Sequence, residues 1–300
     1  AGFLSKQVAE RSELPAGIPV AVGAIDAHMG AVGAGVKQGM VVKIMGTSSC
    51  DITVSPKTQN LPDIPGISGI AEDSVIPGMY GLEAGQAAVG DLFNWCATKL
   101  SDGDHERLQA EAQKLEPGQS GLIALDWNNG NRNILANHEL SGLLVGQTLQ
   151  TTAPEIYRAM VEATAFGALR IIQRLEEYGV EINELVICGG IAEKSPFIMQ
   201  IYSDVLNRTI KLSRSGQTCA LGSAISGAVV GKIHPDIPAA QQAMCGYKPE
   251  VYSPNPKSVE TYKHLYELFL QLHDAFGGLK PQCDLSSFMH SLREIQKFNQ

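Results

Sequence analysis

A chain of 300 residues, 44% hydrophobic and 18% charged, has the composition of an ordinary folded protein, with material for one large core or two small ones. Its net charge of −8, from 31 acids against 23 bases with no basic run, argues against a nucleic-acid backbone as partner. No apolar run approaches the roughly 20 residues of a membrane span, and no long apolar region follows Ala1 to suggest a signal peptide.

Residues 5–14 are expected to form a short helix ended by Pro15-Ala16-Gly17. Ile18 to Ile25 reads as a buried strand that ends on Asp26. After a stretch rich in Gly and Ala, Met40 to Met45 and Ser49 to Val54 read as two strands joined through Gly46-Thr47-Ser48, a hairpin-like pair. A proline-containing loop over 55–66 leads to a strand pair over 67–71 and 74–82, and Glu83 to Leu100 is expected to be a helix with Trp95 near its end. Glu106 to Leu115 should be a short helix and Leu122 to Leu125 a strand, with Asp126 to Arg132 a loop by its turn chemistry.

The second half is more regular. A long helix is expected from Ala153 to Tyr178, with Pro154 in its first turn and Gly179 just past its end. The strand Glu184 to Cys188 runs into Gly189-Gly190. A helix over 195–206, a strand over 209–213 and a small-residue helix over 218–231 complete a βαβα pattern. Residues 234–256 read as a proline-rich loop, 257–276 as a helix, and the tail beyond Gly277 as a loosely attached helix. Hairpins followed by alternating strands and helices give an α/β fold, a mixed sheet flanked by helices.

The cysteines at 50, 96, 188, 219, 245 and 283 are scattered and none forms C-x-x-C, which disfavours zinc and redox motifs. Cys50, Cys188 and Cys219 lie in apolar or small-residue runs and read as buried thiols of a reducing cytoplasm.

Asp26 has two compatible readings: a helix N-cap acid, or a general base at the C-terminal end of a strand, where α/β proteins place their sites. Gly46-Thr47-Ser48-Ser49 is either a common turn or a cradle for nucleotide phosphates. Gly189-Gly190, between an apolar strand and a helix, is either a tight turn or a place where a nucleotide approaches the backbone. Glu83 and Gln86 could present polar groups at a helix start, or Glu83 could simply complement the helix dipole. His28 reads as a satisfied structural histidine. Asp126-Trp127-Asn128 and Asn131-Arg132 read as an exposed turn, with a sugar-contacting rim loop as the alternative. No H-x-x-H or carboxylate cluster suggests a protein metal cage, so Mg²⁺ is expected only with the phosphates of ATP.

The strings G-A-I-D-A-H-M-G-A-V-G-A-G, K-I-M-G-T-S-S-C-D-I, G-L-E-A-G-Q-A-A-V-G-D, A-T-A-F-G-A, C-G-G-I-A-E-K-S and D-V-L-N-R, in that order, resemble the carboxy-terminal half of the ribulokinase group of FGGY carbohydrate kinases, within the actin and hexokinase superfamily. The resemblance runs from about Leu14 to at least Pro238. It implies ATP-dependent phosphorylation of L-ribulose at its 5-hydroxyl in arabinose catabolism, in the cytoplasm, with room for a homodimer and no membrane or nucleic-acid partner. It puts the catalytic base on Asp26 and sugar contacts on Asp26, Ala27 and Glu83. It assigns Gly46, Thr47 and Ser48 to the second phosphate loop, Gly90 to the nucleotide's vicinity, and Gly189, Gly190 and Lys194 to the adenosine motif, where Lys194 stands in place of a frequent Asn.

On this resemblance residues 1–26 are the end of a first kinase domain, 27–256 a C-terminal actin-like domain and 257–300 a helical extension. The D-x-G-T phosphate loop that opens family members is absent from the sequence. The expectation is a fragment with little or no kinase activity alone, because the family's cleft closes between two domains. Two alternatives stay open: an FGGY kinase for another ketose or polyol, and a non-catalytic actin-like nucleotide-binding module.

Overall fold

The structure, a computed structural model, describes residues 1–280, 282, 285 and 288–298; Cys283 lies outside the described residues. Strand β1 (Gly2–Phe3) pairs antiparallel with β2 (Pro19–Val20) around helix α1 (Lys6–Ser12), whose N-cap Ser5 accepts a hydrogen bond from the Val8 amide. The strand expected over 18–25 is therefore only two residues long, and it is not buried: Val22 is 73% and Ile25 53% exposed. An apolar run reports what could be covered, and here, among the described residues, only β1 pairs with it.

Helix α2 (Asp26–Gly33) leads into the hairpin of β3 (Met40–Met45) and β4 (Ser49–Pro56), and β5 (Gly69–Glu72) with β6 (Met79–Ala84) extends the sheet. Next come α3 (Gly90–Leu100), α4 (His105–Ala112) and a small ladder of β7 (Ile123–Leu125) with β8 (Leu143–Val145). The long α5 (Ala153–Glu177) follows, with Pro154 in its first turn and the Thr152 amide donating to Glu155. Then β9 (Glu184–Cys188), α6 (Gly190–Lys194), α7 (Pro196–Leu206), β10 (Ile210–Ser213) and α8 (Thr218–Val230) supply the expected alternation, followed by α9 (Ile237–Met244), β11 (Tyr247–Tyr252), α10 (Pro256–Phe276) and α11 (Phe288–Phe298).

The main sheet has seven strands in the order β11-β10-β9-β3-β4-β6-β5. Strands β3, β9 and β10 are parallel and the remaining pairs antiparallel. One face carries the larger core, built with α3, α5, α7 and α10; the other carries a smaller core with α2, α8 and α9. Helices α2 and α8 cross so closely that a side chain on Gly33 would strike the Thr218 carbonyl, and one on Gly222 the Met29 carbonyl. Helix α10 buries Tyr262, Leu265, Phe269 and Leu272 in the larger core, and Phe288 and Leu292 of α11 join them.

Two other elements depart from the sequence reading. The supposed proline loop over 234–256 contains α9 and β11. Strand β11 lies at the sheet edge, where Pro249 removes an amide that no ladder needs. The helix expected from Glu83 begins only at Gly90, so Glu83 is a strand residue. Among the described residues, no helix is long and apolar enough to cross a membrane.

Candidate active site

Sheet topology brings most of the singled-out residues to one end. Strand β3 ends at Met45, beside the hairpin tip 46–48, and β9, parallel to it, ends at Cys188 next to Gly189. In β6, paired antiparallel with β4, Ala84 lies opposite Asp51, so Glu83 to Gln86 also reach that end. Helix α2 descends toward the start of β3, which leaves its first residue, Asp26, at the same end. This is where α/β sheets hold ligands, because strand ends expose backbone groups that the ladder does not consume.

The hairpin tip rests on helix α3. The Thr47 carbonyl accepts from the Val89 and Asp91 amides (2.8 and 3.1 Å), and the Gly46 carbonyl accepts from Gly90 (3.0 Å). Those amides would otherwise be orphans of the helix start, which has no side-chain cap. The hairpin thus caps the helix. Gly46 and Thr47 are exposed, Ser48 is half-buried, and no described residue engages the Thr47 or Ser48 hydroxyl.

Next to the tip lies a pocket of about 300 Å³. Gly46, Gly90, Gly190 and Lys194 line it together with the apolar Phe93, Tyr157, Ile191 and Ile198 and the polar His105, Gln109 and Ser195. Apolar walls with a few convergent polar groups suit a flat heteroaromatic ligand. Gly189 makes the turn from β9 at φ 107°, and a side chain there would collide with the Met45 carbonyl. Gly190 has nothing within 4 Å of where its Cβ would be, so its backbone is open to the pocket.

The acidic side is built from side chains. The exposed Asp26 carboxylate accepts one hydrogen bond, from the Ala27 amide at 2.8 Å, in the first turn of α2. Ala27 itself turns inward and joins the smaller core. Two residues along, His28 bridges two acceptors: Nδ1 lies 3.0 Å from the Ser74 carbonyl and Nε2 lies 3.2 Å from Glu83 Oε2. The structural histidine expected from the sequence is therefore partnered, and its partner is the very carboxylate singled out at position 83.

Beneath the hairpin runs a buried polar chain that sequence reasoning missed. Lys43, 1% exposed, donates to Asp51, Ser49 and Gln86. The Gln86 amide group donates in turn to Asp126 Oδ2 and the Thr164 carbonyl, both at 2.7 Å. The Gln86 backbone clasps Ser49, accepting from its amide and donating to its hydroxyl. Burial pushes the Asp126 carboxyl up to about 6, against the lowering pull of the Gln86 hydrogen bond. The loop expected to be exposed is thus partly core, since Asp126, Trp127 and Asn131 are buried, as is Asn133 just beyond it. Burial also raises the Cys96 and Cys188 thiols, to about 12 and about 11. Cys50, Cys219 and Cys245 are half-buried.

A family model described as "FGGY family of carbohydrate kinases, C-terminal domain" matches residues 41–230. The chain belongs to the FGGY family of carbohydrate kinases. Among FGGY relatives, the ribulokinase of Halalkalibacterium halodurans is 43% identical over 99% of this chain and 55% of that protein. The ribulokinase of Geobacillus thermodenitrificans is 42% identical over 92% of this chain and 52% of its own length. The chain spans about half the length of these curated relatives. Of solved FGGY-type structures, xylulose kinase from Rhodospirillum rubrum superposes with a TM-score of 0.79 at 26% identity, over 96% of this chain and 56% of that one. A kinase from Brucella ovis described as a xyloylose kinase reaches 0.83 at 20% identity, covering 93% and 56%, which speaks to the fold alone. The expected actin/hexokinase-like fold, a mixed sheet flanked by helices, is the one observed.

Proposed function

We propose that this chain carries the nucleotide-binding wall and the catalytic base of an ATP-dependent ketose kinase, and that its sugar is L-ribulose, phosphorylated on the 5-hydroxyl in the cytoplasmic breakdown of L-arabinose. The observation that carries the reading is the meeting, at one end of one sheet, of a carboxylate with no ion-pair partner among the described residues, an exposed hydroxyl-bearing hairpin and a largely apolar pocket. The name of the relatives, ribulokinase, supplies the sugar.

In this reading the adenine lies between Phe93, Tyr157 and Ile191, and the phosphates run over Gly46 to Ser48. Glu83, steadied by His28, holds a sugar hydroxyl. Asp26 accepts the proton of the attacking hydroxyl as its oxygen bonds the γ-phosphorus and the bond to the leaving ADP oxygen breaks. Among the described residues no group of three or more His, Cys, Asp or Glu could hold a metal ion. In this reading Mg²⁺ enters with the phosphates of the nucleotide.

The test is to incubate the full-length protein with Mg·ATP and a panel of pentuloses and polyols, locating the new phosphate by ³¹P and ¹H NMR. L-Ribulose should be the best substrate, with phosphate on C5. Preference for another ketose or a polyol would overturn the substrate, and ATP binding without transfer to any of them would overturn the kinase.

A further inference from the structure

Arg132 stands out among the buried and half-buried arginines. Arg158, Arg170, Arg174 and Arg208 each meet a glutamate, whereas none of the ion pairs among the described residues involves Arg132. Its guanidinium makes one clear hydrogen bond, from Nη2 to the Ser49 carbonyl at 2.5 Å, and Nη2 lies 4.0 Å from the Cys50 sulfur. Nε is buried with no partner. A half-buried cation without a counter-ion is costly unless something else compensates it.

Its position is built. Gly85, at φ 156°, leaves the space the guanidinium occupies: a Cβ there would lie 2.5 Å from Nη2 and would also strike the Ser49 carbonyl. The loop is fastened on both sides of Arg132. Asn133 accepts from the Gly85 amide (2.8 Å) and the Ser68 hydroxyl (3.2 Å) and donates to the Gly66 carbonyl (2.8 Å). Asn131 accepts from the Leu135 amide (2.9 Å). The charge is therefore fixed before any ligand arrives, which is the condition under which a cation stabilises an anion most effectively.

It also faces the acidic side. Cys50 and Ile52 share one face of β4 and Ile52 pairs with Glu83, so Arg132, whose Nη2 lies 4.0 Å from the Cys50 sulfur, is on the sheet face that carries Glu83. The cation thus sits at the start of β4, next to the hairpin tip where the phosphates run in the proposed function, and on the face of Glu83, which holds the sugar there.

We propose that Arg132 binds the phosphoryl group on the sugar side of the transfer, offering the terminal N–H groups that the Ser49 carbonyl leaves free, those of Nη1 first, to the oxygens of the phosphate once it is on the ketose. Guanidinium forks match phosphate oxygens, and such charge-assisted bonds are the strong ones. Arg132 would then discriminate a phosphorylated ketose from the free sugar. This rests on the ketose-kinase reading above.

The experiment is calorimetric titration of L-ribulose and of L-ribulose 5-phosphate into full-length wild type, Arg132→Gln and Arg132→Lys, with melting curves for each. Arg132→Gln should weaken the sugar phosphate by about ten- to a hundredfold while leaving the free sugar nearly unchanged, and Arg132→Lys should recover part of the loss. Equal weakening of both ligands, or of neither, overturns the proposal; a purely structural role would act on both through the fold. Wild type that binds neither ligand overturns the ketose reading itself, and this assignment with it.

Discussion

The proposed nucleotide side and the acidic side of the site are made of different material. The nucleotide side is backbone, a hairpin whose carbonyls cap α3 and a glycine turn off β9, seated on a buried side-chain network from Lys43 to Asp126. The acidic side is a set of polar side chains, Asp26, His28, Glu83 and Arg132, set on a helix, a strand and a loop far apart in the chain. Changes on the first side should therefore cost stability together with nucleotide affinity. Changes on the second should cost chemistry and sugar recognition while the fold survives.

The largest stability effect should come from Lys43→Met. It strands the buried Asp51 carboxylate and removes a donor from Ser49 and Gln86. Breaking such a pair costs about 3–5 kcal/mol, to be read as a lowered denaturation midpoint. Survival at wild-type stability would break the contrast on the nucleotide side.

Asp126 sharpens it through pH. Its folded carboxyl titrates at about 6 against 3.8 for the free side chain, so between these values the native state holds a proton the unfolded chain has released. This group's contribution to stability thus falls as pH rises from about 4 to 6, by about 3 kcal/mol. Asp126→Asn lacks that titration. Its stability relative to wild type should climb across the same window, measured by paired urea melts at several pH values; a flat difference would contradict the assignment.

Gly189→Ala drives a Cβ into the Met45 carbonyl at a positive φ. It should cost about 1–3 kcal/mol and weaken ATP binding, both readable from melts with and without nucleotide. Glu83→Gln should be the mildest, raising the KM for the sugar roughly tenfold, the equivalent of about 1.4 kcal/mol. The melting temperature and the KM for ATP should hold. Equal damage to both KM values would erase the distinction between the sides.

The two sides also differed in how far the sequence revealed them. Gly189-Gly190 and the Gly46 hairpin were legible because tight backbone geometry demands residue types that stand out in a local window. The strands and helices from Ala153 to Val230 were legible for the same reason, through periodicity and caps. Glu83 was misplaced because the run from Glu83 to Leu100 has helical composition, while Gly85 and the hairpin carbonyls delay the helix to Gly90. Arg132 and Asp126 looked like surface residues because their burial depends on partners such as Ser49, Gly85 and Thr164, distant in sequence. The exposed run at 18–25 shows the opposite error, since apolar composition alone does not supply the layer that would cover it.

Asp26→Asn in the full-length protein tests the central claim most directly, with sugar-phosphate turnover and ATP affinity measured side by side. The account predicts that turnover falls by about 10²–10⁴-fold while ATP affinity and the melting temperature stay at wild-type values. Turnover that persists near the wild-type rate, or ATP binding that is lost along with it, would contradict a base on α2 serving a nucleotide held by the opposite, backbone-built side.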